Sequence, residues 1–399
     1  MTLTGALLAF ITTAVLIVLL RPLAISVGLV DVPSSRKSHS GNIPLIGGIA
    51  IFVGSLTTLL IQHNIHGNGP VFVAPIPAFF GAAFLLLMLG AWDDLRDLPA
   101  VTRLWGQIIA CLVMIFGGDV VLVDLGRLNF DGSILYLGLL SVPFTVFASL
   151  GVVNAMNMCD GLDGLSGSLA LIALLGFGIA NALWGATGAQ QLIVVFSACL
   201  ISFLMFNLRT LWRPKAWVFL GDAGSMLLGI TLSWIAIAMS QGEDRIISPS
   251  AVLWFLMLPI YDAVSMMVRR LLKRRSPFAA DREHLHHIFL LAGFSVGETV
   301  TLMTGIAIGG VVVGLAGMYL GVTDVYMALL FLLGGALYYW VIRRAWLVMR
   351  FLRRSICRRA AFNRSDRPDR RDFDDPNYTG PERRGGRDRR VDSSQGPVR

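Results

Sequence analysis

FVAPIPAFFGAAFLLLMLGAWDDLRD, residues 72–97, is the stretch on which the fold turns. Its first twenty residues, 72–91, carry no charge. As a helix rising about 1.5 Å per residue they would cross the roughly 30 Å hydrocarbon core of a bilayer. The run then meets two adjacent carboxylates, Asp93 and Asp94, with Arg96 and Asp97 just beyond. An apolar span that ends in acids carries polar chemistry to one membrane surface. The pattern of long apolar runs recurs along the chain, near 3–20, 44–62, 101–118, 137–155, 165–184, 189–207, 223–240, 248–267, 298–320 and 324–342. With the quoted run these define an all-α polytopic membrane protein of about eleven transmembrane helices. The run at 101–118 is the weakest, because Arg103 and Gln107 sit in its first turns.

Composition agrees. Of the 399 residues, 55% are hydrophobic and 15% charged, where a soluble domain carries about a quarter charged. The four cysteines, Cys111, Cys159, Cys199 and Cys357, form no CxxC pair, which argues against a disulfide framework or a zinc site. The run from Leu3 has no Lys or Arg before it, so it reads as a retained first span rather than a cleaved signal. The odd-numbered loops and the C-terminal tail hold 31 of the 33 Lys and Arg; the intervening loops hold only Arg127 and Arg245. The positive-inside rule therefore predicts an external N-terminus and a cytoplasmic C-terminus. Residues 120–137, with an Asn-Phe-Asp-Gly turn, predict a small external β-hairpin. Pro259 predicts a kink in the ninth span. Two domains follow: a membrane-embedded body, 1–350, and a basic tail, 351–399, too poor in aliphatic residues to fold alone. The tail reads first as a solvated segment, and second as an attachment to anionic lipid or a partner. Nucleic acid is not an expected partner.

Each predicted cytoplasmic loop carries a polar cluster. Loop one runs from Asp31 through Arg36, Lys37 and His39; loop three holds Asp93, Asp94 and Asp97. Loop five places Asn154, Asn157, Asp160 and Asp163 at intervals of three, roughly one helical face. Loop seven ends in Phe219-Leu-Gly-Asp222, and loop nine holds Asp281, Arg282, Glu283, His284, His286 and His287. An acid at a helix centre costs about 2.5–3.5 kcal/mol on translocon scales, and less near the interface. Several acids at span ends on one face therefore point to a shared site for a divalent cation and phosphates. Magnesium suits, because it takes one or two carboxylates plus substrate phosphate oxygens.

Plainer readings exist for each cluster. Asp93 and Asp94 could cap a helix, and so could Asp222. The Asp93, Asp94, Asp97 spacing also occurs in soluble prenyl diphosphate synthases, where it binds magnesium. The histidines lack a fourth soft ligand and an HExxH motif, so they suit anions better than zinc.

Taken in order over residues 1 to about 350, the clusters resemble the polyprenyl-phosphate N-acetylhexosamine-1-phosphate transferases. The loop-nine text SPFAADREHLHHIFLLAGF, residues 276–294, is similar to the branch that makes polyprenyl-diphospho-GlcNAc, and unlike the branch that makes the first peptidoglycan lipid. The resemblance implies that Asp222 is the principal magnesium ligand, with Asp94 beside it and manganese as a substitute. It implies that Asp93 and Asp94 form the acidic pair needed for catalysis, and that Asp160 and Asp163 line the same cleft. Phe219 would stack on uracil and Asn207 would lie near the nucleotide. Arg282, His284, His286 and His287 would hold the diphosphate and sugar, with His284 counted among the catalytic groups. Asn154, Asn157 and Lys37 complete the substrate-binding set. The implied substrates are UDP-GlcNAc and undecaprenyl phosphate, in contact with the lipid bilayer; a homodimer is left open.

The implied reaction is attack of a polyprenyl phosphate oxygen on the β-phosphorus of UDP-GlcNAc, with UMP leaving. The product would open a surface polysaccharide such as O-antigen or common antigen. Another UDP-N-acetylhexosamine remains an alternative. So does a covalent aspartyl-phosphate, although an acceptor phosphate with a second pKa of about 6 is already mostly dianionic, which favours direct displacement. Two other classes compete. An intramembrane aspartyl protease would place Tyr-Asp before Gly-x-Gly-Asp, whereas Tyr261-Asp262 here follows Gly221-Asp222. A transporter would place its acids near the midplane, and most here lie at span ends.

Overall fold

The computed structural model describes residues 2–31, 42–66, 75–185, 188–210, 213, 215–274 and 284–344. Thirteen α-helices cover most of them: α1 Thr2–Val27, α2 Gly47–His66, α3 Pro75–Arg96, α4 Ala100–Gly118, α5 Ser141–Met158, α6 Leu165–Trp184, α7 Gln190–Asn207, α8 Gly221–Ser240, α9 Pro249–Phe255, α10 Met257–Leu272, α11 Leu285–Ala292, α12 Val296–Tyr319 and α13 Asp324–Arg343. A two-stranded antiparallel sheet pairs β1, Val30–Asp31, with β2, Ile43–Pro44. Among the described residues, ten helices are long and apolar enough to cross a membrane. An eleventh crossing arises if α9 and α10 count as one bent span. The weak run is helical too, as α4.

The bend between α9 and α10 is 84°. It falls at Leu256, three residues before Pro259. The proline ring has no N–H to give Phe255 and would clash with its carbonyl, so the helix opens there. The predicted kink is thus a near right-angle break. Residues 123–137 carry a short antiparallel ladder, with an isolated bridge between Asp124 and Tyr136. Leu125 N–H donates to Leu135 O (3.0 Å) and Leu137 N–H to Val123 O (2.9 Å), around a turn closed by Gly132 N–H to Asn129 O (2.9 Å). Arg245 Nη1 pairs with Asp124 Oδ1 at 2.6 Å and ties this ladder to the α8–α9 connection.

Helix α8 is the hub. Some 94% of its span is buried inside the protein, against 22% for α1 and 17% for α13. Its small residues allow that enclosure. A Cβ on Gly229 would lie 2.5 Å from Val153 Cα of α5, and one on Gly48 of α2 would lie 2.3 Å from Gly224 Cα of α8. Close backbone approach through glycine is the usual route to helix packing in membranes, where lipid supplies no hydrophobic drive between helices. Lipid-facing helices keep their aliphatic side chains outward, with Leu7, Ile11, Leu332 and Leu333 all more than half exposed.

Candidate active site

The N-terminal turn of α8 gathers the acids. Gly90 of α3 meets Ala223 so closely that a Cβ there would lie 2.4 Å from Ala223 Cα. That contact brings the end of α3 to the first turn of α8. Asp94 Oδ1 accepts the Asp222 N–H at 3.0 Å, and Oδ2 accepts the Ala223 N–H at 3.3 Å. The first N–H groups of a helix have no partner within it, so Asp94 caps α8 from a different helix. The expected capping role is real, but the helix capped is not its own. Gly221 makes room, with φ at +74° and Asp94 Oδ2 only 2.6 Å from where a Cβ would sit. Just upstream, Phe219 joins a ladder with the segment after β2: its N–H donates to Pro44 O, and its carbonyl accepts from Gly47 N–H, both at 2.9 Å. The Phe219 side chain is half-buried beside the acidic turn.

Asp93 is buried and braced. Its Oδ1 accepts the Leu98 N–H at 2.7 Å and its Oδ2 pairs with Arg103 Nη1 at 2.8 Å. Arg103, which weakened the fourth span as sequence, is the cation that holds this acid. Gln107, one turn further, exchanges amide hydrogen bonds with Asn154 of α5, at 2.9 Å from Asn154 Nδ2 to Gln107 Oε1. Asn157 Nδ2 reaches Asp222 Oδ1 at 2.9 Å and Ser225 Oγ at 3.0 Å.

The expected single helical face of loop five is corrected. Helix α5 stops at Met158, so Asn154 and Asn157 share it while Asp160 and Asp163 lie in the turns before α6. The two Asp-Gly pairs end the helix, and Gly164 takes a φ of +83°. Asp163 Oδ2 pairs with Arg209 Nε at 2.6 Å. Burial, then the charges of Asp222, Asp94 and Asp163, push the Asp160 carboxyl well above the usual range. Asn207 is buried with both ends of its amide engaged by backbone: Oδ1 accepts Gly164 N–H at 2.6 Å and Nδ2 donates to Val218 O at 2.8 Å. It locks loop five to the strand-like segment before α8.

The loop-nine histidines sit against loop five. His284 and His286 stack with ring centroids 5.3 Å apart, and the His286 and His287 centroids are 4.2 Å apart. A Cβ on Gly161 would lie 2.6 Å from His286 Nε2, so the first Asp-Gly pair of loop five is shaped by this ring. Burial, then the charges of His287 and His284, pull His286 down to about 3, which keeps it neutral. Buried His284 places Nδ1 2.7 Å from Asp262 Oδ2. Lys37 and Arg282 lie outside the described residues.

Sequence reasoning missed Arg103, Gln107, Arg209 and Asp262 as parts of this neighbourhood. Two of them announced themselves only as polar residues where a span should be apolar. A cavity of about 290 Å³ lined by Gly178, Asn181 and Gln190 lies at the opposite end of α6 from the acids and is no part of the site.

Among the described residues no three His, Cys, Asp or Glu side chains converge as a ready-made metal cage. Magnesium does not need one, since substrate phosphates supply much of its shell. The donor set at the α8 turn is hard oxygen, from Asp94 and Asp222. The described cations nearby go elsewhere, Arg103 to Asp93 and Arg209 to Asp163. Carboxylates drawn this close with that share of positive charge fit a divalent ion.

This is the architecture of a polytopic membrane protein with a cluster of carboxylates at one end of its central helix. The family model described as Glycosyl transferase family 4 matches residues 76–240, which run from α3 through α8. The chain is 35% identical over 360 residues to the undecaprenyl-phosphate alpha-N-acetylglucosaminyl 1-phosphate transferase of Escherichia coli K12, covering 90% of this chain and 95% of that protein. The proteins of the same name from Salmonella typhi and Haemophilus influenzae are 36% identical over 360 residues and 34% over 346. The chain belongs to this family of sugar-1-phosphate transferases.

Proposed function

We infer that this protein transfers GlcNAc-1-phosphate from UDP-GlcNAc to undecaprenyl phosphate, releasing UMP and forming undecaprenyl-diphospho-GlcNAc. The observation that carries the reading is the meeting of Asp94, Asp222 and Asn157 on the first turn of α8, in a chain that matches its relatives almost end to end. Incubating membranes with undecaprenyl phosphate, magnesium and a panel of UDP-sugars tests it. UMP and a lipid-linked sugar should form with UDP-GlcNAc; formation of neither, by inserted protein, rejects the function. The product suits the first lipid-linked step of a surface polysaccharide.

The mechanism is direct displacement. An acceptor phosphate oxygen forms a bond to the β-phosphorus of UDP-GlcNAc while the bond from that phosphorus to the bridging oxygen breaks, and the electron pair leaves with UMP. Such transfers need positioning and charge neutralisation more than covalent catalysis. Asp222 and Asp94 would hold magnesium, which would neutralise the diphosphate charge. Asn157 fixes the Asp222 carboxylate. Asp93, which accepts from the Leu98 N–H and pairs with Arg103, holds the end of α3 beside Asp94. Arg282 and His284 stabilise charge at the β-phosphate. Neutral His286 contributes packing and a hydrogen bond rather than charge.

Phe219 presents a ring to uracil in this scheme. Base stacking on an aromatic is worth about 1–3 kcal/mol in nucleic-acid systems. Phe219→Ala should raise the KM for UDP-GlcNAc about tenfold or more with kcat little changed, and Phe219→Trp should keep most function. A fall in kcat alone would remove uracil from Phe219.

The basic loops support a site facing the cytoplasm of the inner membrane, where nucleotide sugars are made. Cysteine labelling tests this in a Cys357→Ser background, since Cys111, Cys159 and Cys199 are buried. An impermeant maleimide applied to whole cells should label Asn129→Cys and Gly242→Cys, and spare Ser38→Cys and Ser276→Cys. External labelling of Ser276→Cys inverts the topology.

A further inference from the structure

The acid that addresses His284 lies outside every cluster discussed above. Asp262 is 1% exposed, on α10 just after the break at Leu256. Three donors converge on it from three elements. Its Oδ2 lies 2.7 Å from His284 Nδ1, before α11. Its Oδ1 accepts the Leu285 N–H at 3.1 Å and the Tyr338 O–H, from α13, at 2.8 Å. A carboxylate offers no proton, so the short contact to Nδ1 requires Nδ1 to carry the hydrogen. The other ring nitrogen, Nε2, is then the one left to meet a substrate. The stacked His286 ring keeps the imidazole from tilting.

We propose that Asp262 is the positioning residue of the transfer reaction. It holds the Nδ1–H of His284 and balances the imidazolium formed when Nε2 is also protonated, so that Nε2–H donates to the substrate diphosphate, and Tyr338 and the Leu285 N–H hold the carboxylate in turn. Tyr261, its chain neighbour, has a separate duty, since its hydroxyl donates to Phe331 O at 2.5 Å and docks α13. The Tyr-Asp pair that hinted at a protease is therefore a brace and a histidine guide. The inference rests on the proposed transfer to undecaprenyl phosphate.

Asp262→Asn is the informative change, because the site dictates how an amide must lie. Two donors already point at the Oδ1 position, so the amide oxygen must take it. The amide NH2 then faces Nδ1, which forces the sole ring hydrogen onto Nε2 and removes the carboxylate that balances an imidazolium. Shape is kept and the tautomer is inverted. In a catalytic triad the equivalent inversion drops kcat by about 10⁴. Here, kcat should fall at least about 10²-fold with KM for UDP-GlcNAc within about threefold. The loss should vanish in a His284→Ala background, because residues acting as one unit do not add. Equal losses in both backgrounds, or wild-type kcat for Asp262→Asn, overturn the proposal. If Asp262→Asn does not insert, Tyr338→Phe takes its place. It should lower kcat roughly threefold to tenfold in the wild-type background and not at all beside His284→Ala, since it removes one hold on the carboxylate; any other pattern counts against Asp262. Wild-type membranes assayed in parallel separate the two hypotheses: absence of UMP release there would reject the transfer function itself.

Discussion

Asp222→Asn should lower turnover by at least about 10²-fold, the scale of losing one electrostatic stabiliser, worth about 2.7–4 kcal/mol. The substitution keeps the shape of the side chain and removes its charge. The backbone of residue 222 would still donate to Asp94, so the cap on α8 survives the change. Folding is therefore spared, and what is lost is one of the two carboxylates we propose as metal ligands. Asn157 Nδ2, now facing an amide, can keep its hydrogen bond if the introduced amide turns its oxygen that way. Turnover measured across a magnesium titration checks this. Near-normal turnover of the folded variant at limiting magnesium would remove Asp222 from the site.

Gly90→Ala should cost about as much, from a residue that touches no substrate. The added methyl would lie 2.4 Å from Ala223 Cα and N and 2.6 Å from the Asp222 carbonyl carbon. These are backbone atoms of a buried helix, so α3 and α8 must separate. Asp94 is one turn along α3 and holds α8 by bonds of 3.0 and 3.3 Å. A shift near 1 Å breaks that register, and misplacement on this scale can cost about 10²-fold in rate. Overpacking should also cost about 1–3 kcal/mol of stability. The control is Gly81→Ala in the same helix, where the methyl would meet Val113 Cγ1 at an ordinary 3.7 Å. Activity and detergent melting temperature of the two variants decide the matter. Equal behaviour of both would refute the close-contact explanation.

Much of the fold was legible because span length and hydropathy are local properties. From Pro75 onward the quoted run is helix α3, and even the run that Arg103 and Gln107 interrupt is helix α4. Pro259 foretold a kink because its missing N–H acts within one turn. The acids at the α8 turn were legible by type, since carboxylates at span ends are costly without a purpose. Their partners were not. Asp94 caps α8 through a backbone N–H 128 residues later, and Tyr338 meets Asp262 from 76 residues away. Loop five misled because its spacing of three is helical, whereas Asp160-Gly161 and Asp163-Gly164 end α5 early. Glycine at Gly161 answers to the His286 ring, a contact that no local rule reveals.

The enclosure of α8 separates two mechanical worlds within one molecule. Its flanks meet protein along nearly the whole length, while α1 and α13 meet the bilayer. A change in membrane thickness is met by tilt of the outermost helices, at fractions of a kcal/mol per Å. Neither helix carries Asp94, Asn157 or Asp222, and α13 reaches the histidines only through Tyr338. The acidic cluster is thus suspended like a bearing inside a compliant housing: the surrounding lipid can stretch or thin while the distances among Asp94, Asn157 and Asp222 stay set by glycine-to-backbone contact.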